Sequence, residues 1–369
     1  MHTIGSMSNE TRRAAEDQRV GGRRLAGIAD LPPACFGIVM ATGIVSLAAH
    51  LQGLESVALA LFILNIAAYV ALWLLTFWRV ARHPRRVLDD MVDHVRAPGF
   101  FTVIAATSLL GSQSIVLAAN YRVSEALWIV AIVLWVALTY AVFVAVTVKA
   151  RKPVLAQAIG GGWLLAVVAT QSIAVLSALL AGHVDGLGSR KLEFLALALW
   201  LCGGVLYMWM TSLIFYRSTF LPLRPRDLSP TYWINMRAMA ISTLAGSLLV
   251  VDAANGPVVA SMLPFIRAGT VLCWATATWW IPLLAVLFAW RHVIRRVPLQ
   301  YETAWWAAVF PLGMYAAGTH EMIEAIELDF LRPLPALLVD AALAAWTAAF
   351  VALVVHLLRR VRSLRPWTS

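Results

Sequence analysis

The sequence predicts an all-α integral membrane protein with ten transmembrane helices. Three observations predict it. The chain of 369 residues is 61% hydrophobic and only 13% charged, whereas a soluble domain is nearer half apolar and about a quarter charged. Ten apolar runs are each long enough to cross a bilayer, which takes about 20 residues. Finally, 24 of the 29 Lys and Arg residues fall in the two tails and in every second connection, counting Arg237 near the start of the seventh span with the connection before it, the asymmetry that sets membrane orientation. The apolar runs are unbroken rather than alternating, which excludes a β-barrel.

A polar, partly basic tail covers residues 1–30, and its lack of an apolar stretch argues against a cleavable signal peptide. The transmembrane domain follows over 31–358, with a short tail over 359–369. The spans are read at Pro32–His50, Val57–Phe77, Gly99–Ala118, Leu127–Val148, Gly160–Gly182, Glu193–Tyr216, Tyr232–Val251, Phe265–Trp290, Thr303–Ile323 and Pro333–Leu358. The basic tails place both termini in the cytoplasm, in a cell inner (plasma) membrane. The net charge of +10 sits in these short connections, so no nucleic-acid partner is expected. Cys35, Cys202 and Cys273 lie scattered inside apolar runs and read as buried thiols without a disulfide or metal.

Odd spans then all run outward and even spans return. Glycine concentrates on the odd spans (Gly43, Gly111, Gly246, Gly313 and Gly318 among them). Small residues permit close helix approach or leave space alongside. The odd spans are therefore expected inside, with the even spans facing lipid. A pore ringed by the odd spans would carry their positive dipole ends and most of the basic residues at its cytoplasmic mouth, a field that concentrates anions.

The ninth span, AWWAAVFPLGMYAAGTHEM (Ala304–Met322), is the most informative. Pro311 removes the hydrogen bond to Ala307 and predicts a kink. Helical spacing puts Trp306, Phe310, Gly313 and Ala317 on one stripe. Phe310 is then either a plug beside an open lane or a packing residue at an ordinary proline kink.

Four stretches resemble the tellurite-resistance/dicarboxylate transporter family, which includes TehA-type tellurite-resistance proteins, fungal malate permeases and plant slow anion channels. They are PPACFGIVMATGIVSLA (Pro32–Ala48), GGWLLAVVATQSIAVL (Gly161–Leu176), LSPTYWINMRAMAISTLAG (Leu228–Gly246) and AWWAAVFPLGMY (Ala304–Tyr315). The resemblance implies five hairpins around a central pore, a homotrimer with one pore per subunit, and no cofactor. It implies a gate at Phe310 with the kink at Pro311 and Gly313. The implied substrates are small anions: C4-dicarboxylates such as malate, tellurite, sulfite, nitrate or chloride. Two places depart from the family pattern: Arg237, where a small residue is expected, and the acid-rich THEMIEAIELD (Thr319–Asp329).

Arg237, about a turn and a half into the seventh span, either attracts an anion within the pore or snorkels to the interface. His320 and Glu324 continue the Phe310 stripe outward, near Glu321 and Glu327. They read as a solvated helix end or as proton-coupling groups of a dicarboxylate carrier. The alternative of a membrane metalloenzyme lacks the second histidine of H-E-x-x-H. Asp340, inside the tenth span, should pair, with Arg267 as candidate, or be protonated; it is the third coupling candidate. Thr42, Gly43, Ser46, Thr107, Gln171, Ser242, Thr243 and Ala317 are the pore-lining candidates. Trp279, Trp280, Trp305 and Trp306 suit interfacial belts.

Overall fold

The computed structural model describes residues 28–222, 228, 230–252, 257–297 and 305–363. Residues 1–27 of the expected 1–30 tail, residues 364–369 of the expected 359–369 tail, and the expected start of the ninth span at Thr303 lie outside these residues. Numbering only the ten long helices, the chain forms α1 (Gly37–Leu51), α2 (Glu55–Arg82), α3 (Phe101–Ala118), α4 (Tyr121–Val148) and α5 (Leu165–Ala181). It continues with α6 (Leu187–Phe220), α7 (Ile234–Asp252), α8 (Leu263–Ala289), α9 (Trp306–Ile326) and α10 (Pro333–Ser363). No strand occurs among the described residues.

Nine of these helices are long and apolar enough to cross a membrane. The other, α9, is 21 residues long but carries Pro311, Tyr315, His320, Glu321 and Glu324, which dilute its hydropathy. Its place in the bundle makes it the tenth. It packs against α7 and α1, both buried helices. The odd helices close a ring in the order α1, α3, α5, α7, α9 and back to α1. Each even helix packs chiefly on the odd helix before it, giving five hairpins. In their most apolar windows α1, α3, α5 and α7 are 72–94% buried, against 11–33% for the even helices. The even helices carry the exposed apolar side chains that suit lipid, such as Leu74, Val133, Trp209 and Leu272.

The odd helices enter the ring through 3-10 turns, Pro33–Phe36, Ala97–Phe100, Gly161–Leu164 and Pro230–Trp233 ahead of α1, α3, α5 and α7. Neighbouring turns pack on one another, which closes this end of the bundle. At Gly161 a Cβ would overlap the carbonyl of Thr231. Backbone cannot yield as a flexible side chain can, so Gly161→Ala is expected to destabilise the fold by about 1–3 kcal/mol, read as a lower thermal midpoint.

The same end is basic. Arg79 and Asp90 are buried, with Arg79 Nη2 2.5 Å from Asp90 Oδ2 and Arg96 Nε 2.8 Å from Asp90 Oδ1. This clamp ties the end of α2 to the short amphipathic helix Pro84–Met91. Asp90→Ala leaves the buried Arg79 guanidinium without its counter-ion, a loss of about 3–5 kcal/mol. Tryptophan-fluorescence melts should show a midpoint lower by several degrees; an unchanged midpoint would remove the clamp from the account.

α9 is helical on both sides of Pro311, which has no N–H to give the Ala307 carbonyl. The structure corrects other local expectations. Trp280 and Trp306 are buried rather than belted: Trp280 donates to the Tyr207 hydroxyl at 2.8 Å, and Trp306 meets Trp346 edge-on at 6.5 Å. Trp279 is exposed, and Trp305 packs on Phe288. Of the cysteines, Cys35 is buried, Cys273 half-buried and Cys202 exposed on α6, all unpaired.

Candidate functional site

Inside the ring lies a narrow cavity of about 60 Å³, room for a few water-sized occupants. Its walls are stripes spaced three and four residues apart, as helices require. α1 supplies Met40, Ile44, Leu47 and Leu51; α7 supplies Ile241, Leu244 and Leu248. α9 contributes Phe310, Met314, Ala317 and Glu321. Ala105, Leu109 and Val116 of α3, with Val175 and Leu179 of α5, complete the apolar wall.

Three lining residues are polar. Ser112 and Ser172 donate to the Ser108 and Ala169 carbonyls of their own helices, so their protons are engaged. Glu321, at the acidic end, brings the only charge among the described lining residues. At the opposite limit stands Phe310, 1% exposed. Beyond the ring, toward the basic end, the Arg237 guanidinium carbon sits 4.7 Å from its centroid. Arg237 precedes Ile241 by four residues and so belongs to the same stripe of α7.

Most of the expected polar lining points elsewhere. Thr42 accepts from Trp346 Nε1 at 3.0 Å, and Ser46 donates to the Ala58 carbonyl at 2.7 Å. Thr107 donates to Val103 and shares a proton with Tyr69. Gln171 Nε2 donates to the Trp200 carbonyl, while Ser242 and Thr243 donate to Ala238 and Met239. Each bond goes to the helix's own backbone or to an outer helix, although the Gln171 Oε1 is left buried without a partner. Gly43 and Gly313 serve close packing: a Cβ at Gly43 would press on Asn65 and Leu109, and one at Gly313 would meet Ile44. Of that set only Ala317 lines the cavity.

The acidic end is also rearranged relative to expectation. His320 Nδ1 lies 3.4 Å from Gln52 Nε2. Glu324 pairs with Arg332 at 3.3 Å, which also holds Asp329. Neither histidine nor Glu324 lines the cavity; Glu321 does. Asp340 lies on the exposed face of α10 and Arg267 on the exposed face of α8, and the expected pair between them does not form among the described residues. Those residues contain no cluster of three His, Cys, Asp or Glu side chains placed to hold a metal.

At the basic end a larger crevice of about 630 Å³ opens between the turns, lined by His94, Pro98, Gly160, Gly162, Arg217 and Tyr232. Arg217 donates from Nε to the Ala156 carbonyl at 2.7 Å and bonds the Tyr232 hydroxyl. Burial and the nearby Lys149 lower the His94 pKa from its ordinary value; Asp93 opposes this and Lys152 adds to it.

A ring of five inner helices enclosing an apolar cavity is a pathway architecture, and the sequence agrees. Residues 30–354 match the voltage-dependent anion channel family. The chain belongs to this family. It is the one to which the four sequence stretches point. Among the family's relatives, an uncharacterized transporter of Methanocaldococcus jannaschii is 24% identical over 291 residues, covering 77% of this chain and 82% of that protein. A second from the same organism is 23% identical over 299 residues, covering 79% and 84%. An uncharacterized membrane protein of Mycobacterium tuberculosis is 40% identical over 152 residues, 41% of this chain and 77% of that protein.

Proposed function

We propose that the protein conducts small anions across a cell inner membrane, through the five-helix ring, with Phe310 as the closing element. Membership of an anion channel family, and the transporter names of its relatives, support anion movement in general. The single observation that carries the gate is the position of Phe310: its ring ends the apolar cavity at one limit and covers Arg237 on the other side. The basic end is the cytoplasmic one, with both termini there, because it gathers most of the Lys and Arg residues. Arg237 attracts the anion to the ring from that side. Assembly as a homotrimer with one path per subunit follows from the family resemblance. No catalytic step or cofactor is involved.

The driving force sets direction. A cell interior negative by about 100 mV opposes uptake of each negative charge by about 2.3 kcal/mol. An uncoupled path therefore favours efflux, and uptake of a dicarboxylate needs a second gradient. One observation favours such a second reading, a proton-coupled carrier: Glu321 lines the cavity, which His320, Glu324 and Asp340 do not.

The test is a flux screen in proteoliposomes with malate, sulfite, tellurite, nitrate and chloride at two pH values. Flux of at least one anion above protein-free vesicles is expected. Rates equal to those vesicles for all five would overturn the reading. Bound metal together with a hydrolytic activity would revive the enzyme alternative at His320 and Glu324.

A further inference from the structure

Three arginines are buried among the described residues: Arg79, Arg217 and Arg237. The first two are satisfied. Arg79 meets Asp90 and the Ala29 carbonyl, and Arg217 meets the Ala156 carbonyl and the Tyr232 hydroxyl. Arg237 differs. It is 2% exposed, forms no ion pair among the described residues, and has no acceptor at Nε or Nη2. One face of its guanidinium is covered by the Phe310 ring, 4.7 Å away.

The two unmet nitrogens are not an arbitrary pair. Nε–H and one N–H of Nη2 point the same way along one edge of the planar group. That edge is spaced to meet two oxygens of a single partner. A buried charge with unmet donors is costly unless a counter-ion completes it. The fold supplies carboxylates or carbonyls to its other buried arginines and none to this edge.

We propose that the Nε–Nη2 edge of Arg237 is an oxyanion-binding site, taking carboxylate, nitrate or sulfite-type groups through two parallel hydrogen bonds. The proposal rests on the reading of the ring as an anion path, and it names the substrate class of that path. A halide engages the edge at one point and leaves one donor poorly met, whereas two oxygens meet both. Arg237 lies on the basic side of Phe310, so an oxyanion docks there before it reaches the plug. The residue thereby separates anions by shape as well as by charge.

Nitrate and bromide are the deciding probes, because both are monovalent and similarly hydrated, so dehydration alone would pass them at nearly equal rates. Wild-type proteoliposomes should carry nitrate at least about tenfold faster than bromide, the factor that about 1.4 kcal/mol of discrimination gives. Arg237→Lys keeps the charge and removes the edge; its nitrate-to-bromide ratio should fall to within about threefold of unity while bromide still passes. A wild-type ratio near one, or a ratio unchanged in the variant, overturns the proposal. Should Arg237→Lys fail to elute as a folded species, the wild-type ratio decides alone. Should no anion move at all, the anion-path reading fails separately. The site is then read by binding, as the thermal midpoint of purified protein in sodium nitrate against sodium bromide at equal ionic strength. Stabilisation specific to nitrate supports the site, and equal stabilisation by the two salts overturns it.

Discussion

Phe310→Ala is expected to raise anion flux in proteoliposomes at least tenfold, the factor that removal of about 1.4 kcal/mol from a barrier produces. The ring is 1% exposed and forms the limit of the apolar cavity. Truncation to a methyl group removes the ring that separates that cavity from the Arg237 guanidinium. The substitution also carries a stability cost of about 3–5 kcal/mol, the usual result of emptying a buried phenyl site. Part of that cost is the stacking of Arg237, about 0.5–2 kcal/mol in a desolvated place. Flux is therefore to be compared at equal amounts of folded, monodisperse protein. Trp306→Ala is the control. Trp306 is equally buried and stands one turn earlier on α9, but it packs against Trp346 of the outer helix α10. Its loss should destabilise without opening the path. Equal flux from Phe310→Ala and wild type would remove the gate, and so would equal opening by both variants.

The hairpin order and the inner position of the odd helices were legible in the sequence because they rest on coarse quantities: run length, the alternation of Lys and Arg, and the placing of glycine. The cavity wall was legible only in part, for two physical reasons. A helix has 3.6 residues per turn, so the stripe through Phe310 continues equally well by steps of three or four. Spacing alone could not choose Met314 over Gly313, or Glu321 over His320 and Glu324. The second reason is that a polar side chain on an inner helix need not face the lumen. Thr42, Ser46 and Thr107 bond to outer helices or to their own backbone, and the lumen is lined with Ile, Leu, Met and Ala instead. Glycines had the same ambiguity: Gly43 and Gly313 leave room for a neighbouring helix rather than for an ion. Arg237 was visible as a departure from the family pattern, but the unmet edge of its guanidinium is a property of the packed structure alone.

Glu321→Gln is expected to raise anion flux by about tenfold near neutral pH and to abolish the response of flux to pH on the acidic side. Leu51, Val116, Leu179 and Leu248, which share the wall with Glu321, carry no charge to offset a carboxylate. Arg332, beyond the end of α9, is held by Glu324 and Asp329. On α9 the flanking titratable groups are His320, placed against Gln52, and Glu324. Across from it His50 and Glu55 pair with each other at 2.8 Å. An anion passing about 6 Å from an ionised Glu321 meets a repulsion of about 3 kcal/mol at an effective dielectric of about 20. Partial hydration of the half-buried Glu321 reduces this to about 1–2 kcal/mol, which is the tenfold effect. The sign follows directly. Protonation removes the negative charge, so wild-type flux should rise as the solution on that side is acidified, toward the level of Glu321→Gln. The variant should show the raised flux at every pH. A pH response that survives in Glu321→Gln but vanishes in His320→Ala would move the titrating group to the histidine. A wild-type flux indifferent to pH would leave the acidic end with no part in transport. Internal acidification that keeps step with anion uptake in wild type, and stops in Glu321→Gln, would show that the proton travels with the anion rather than only admitting it.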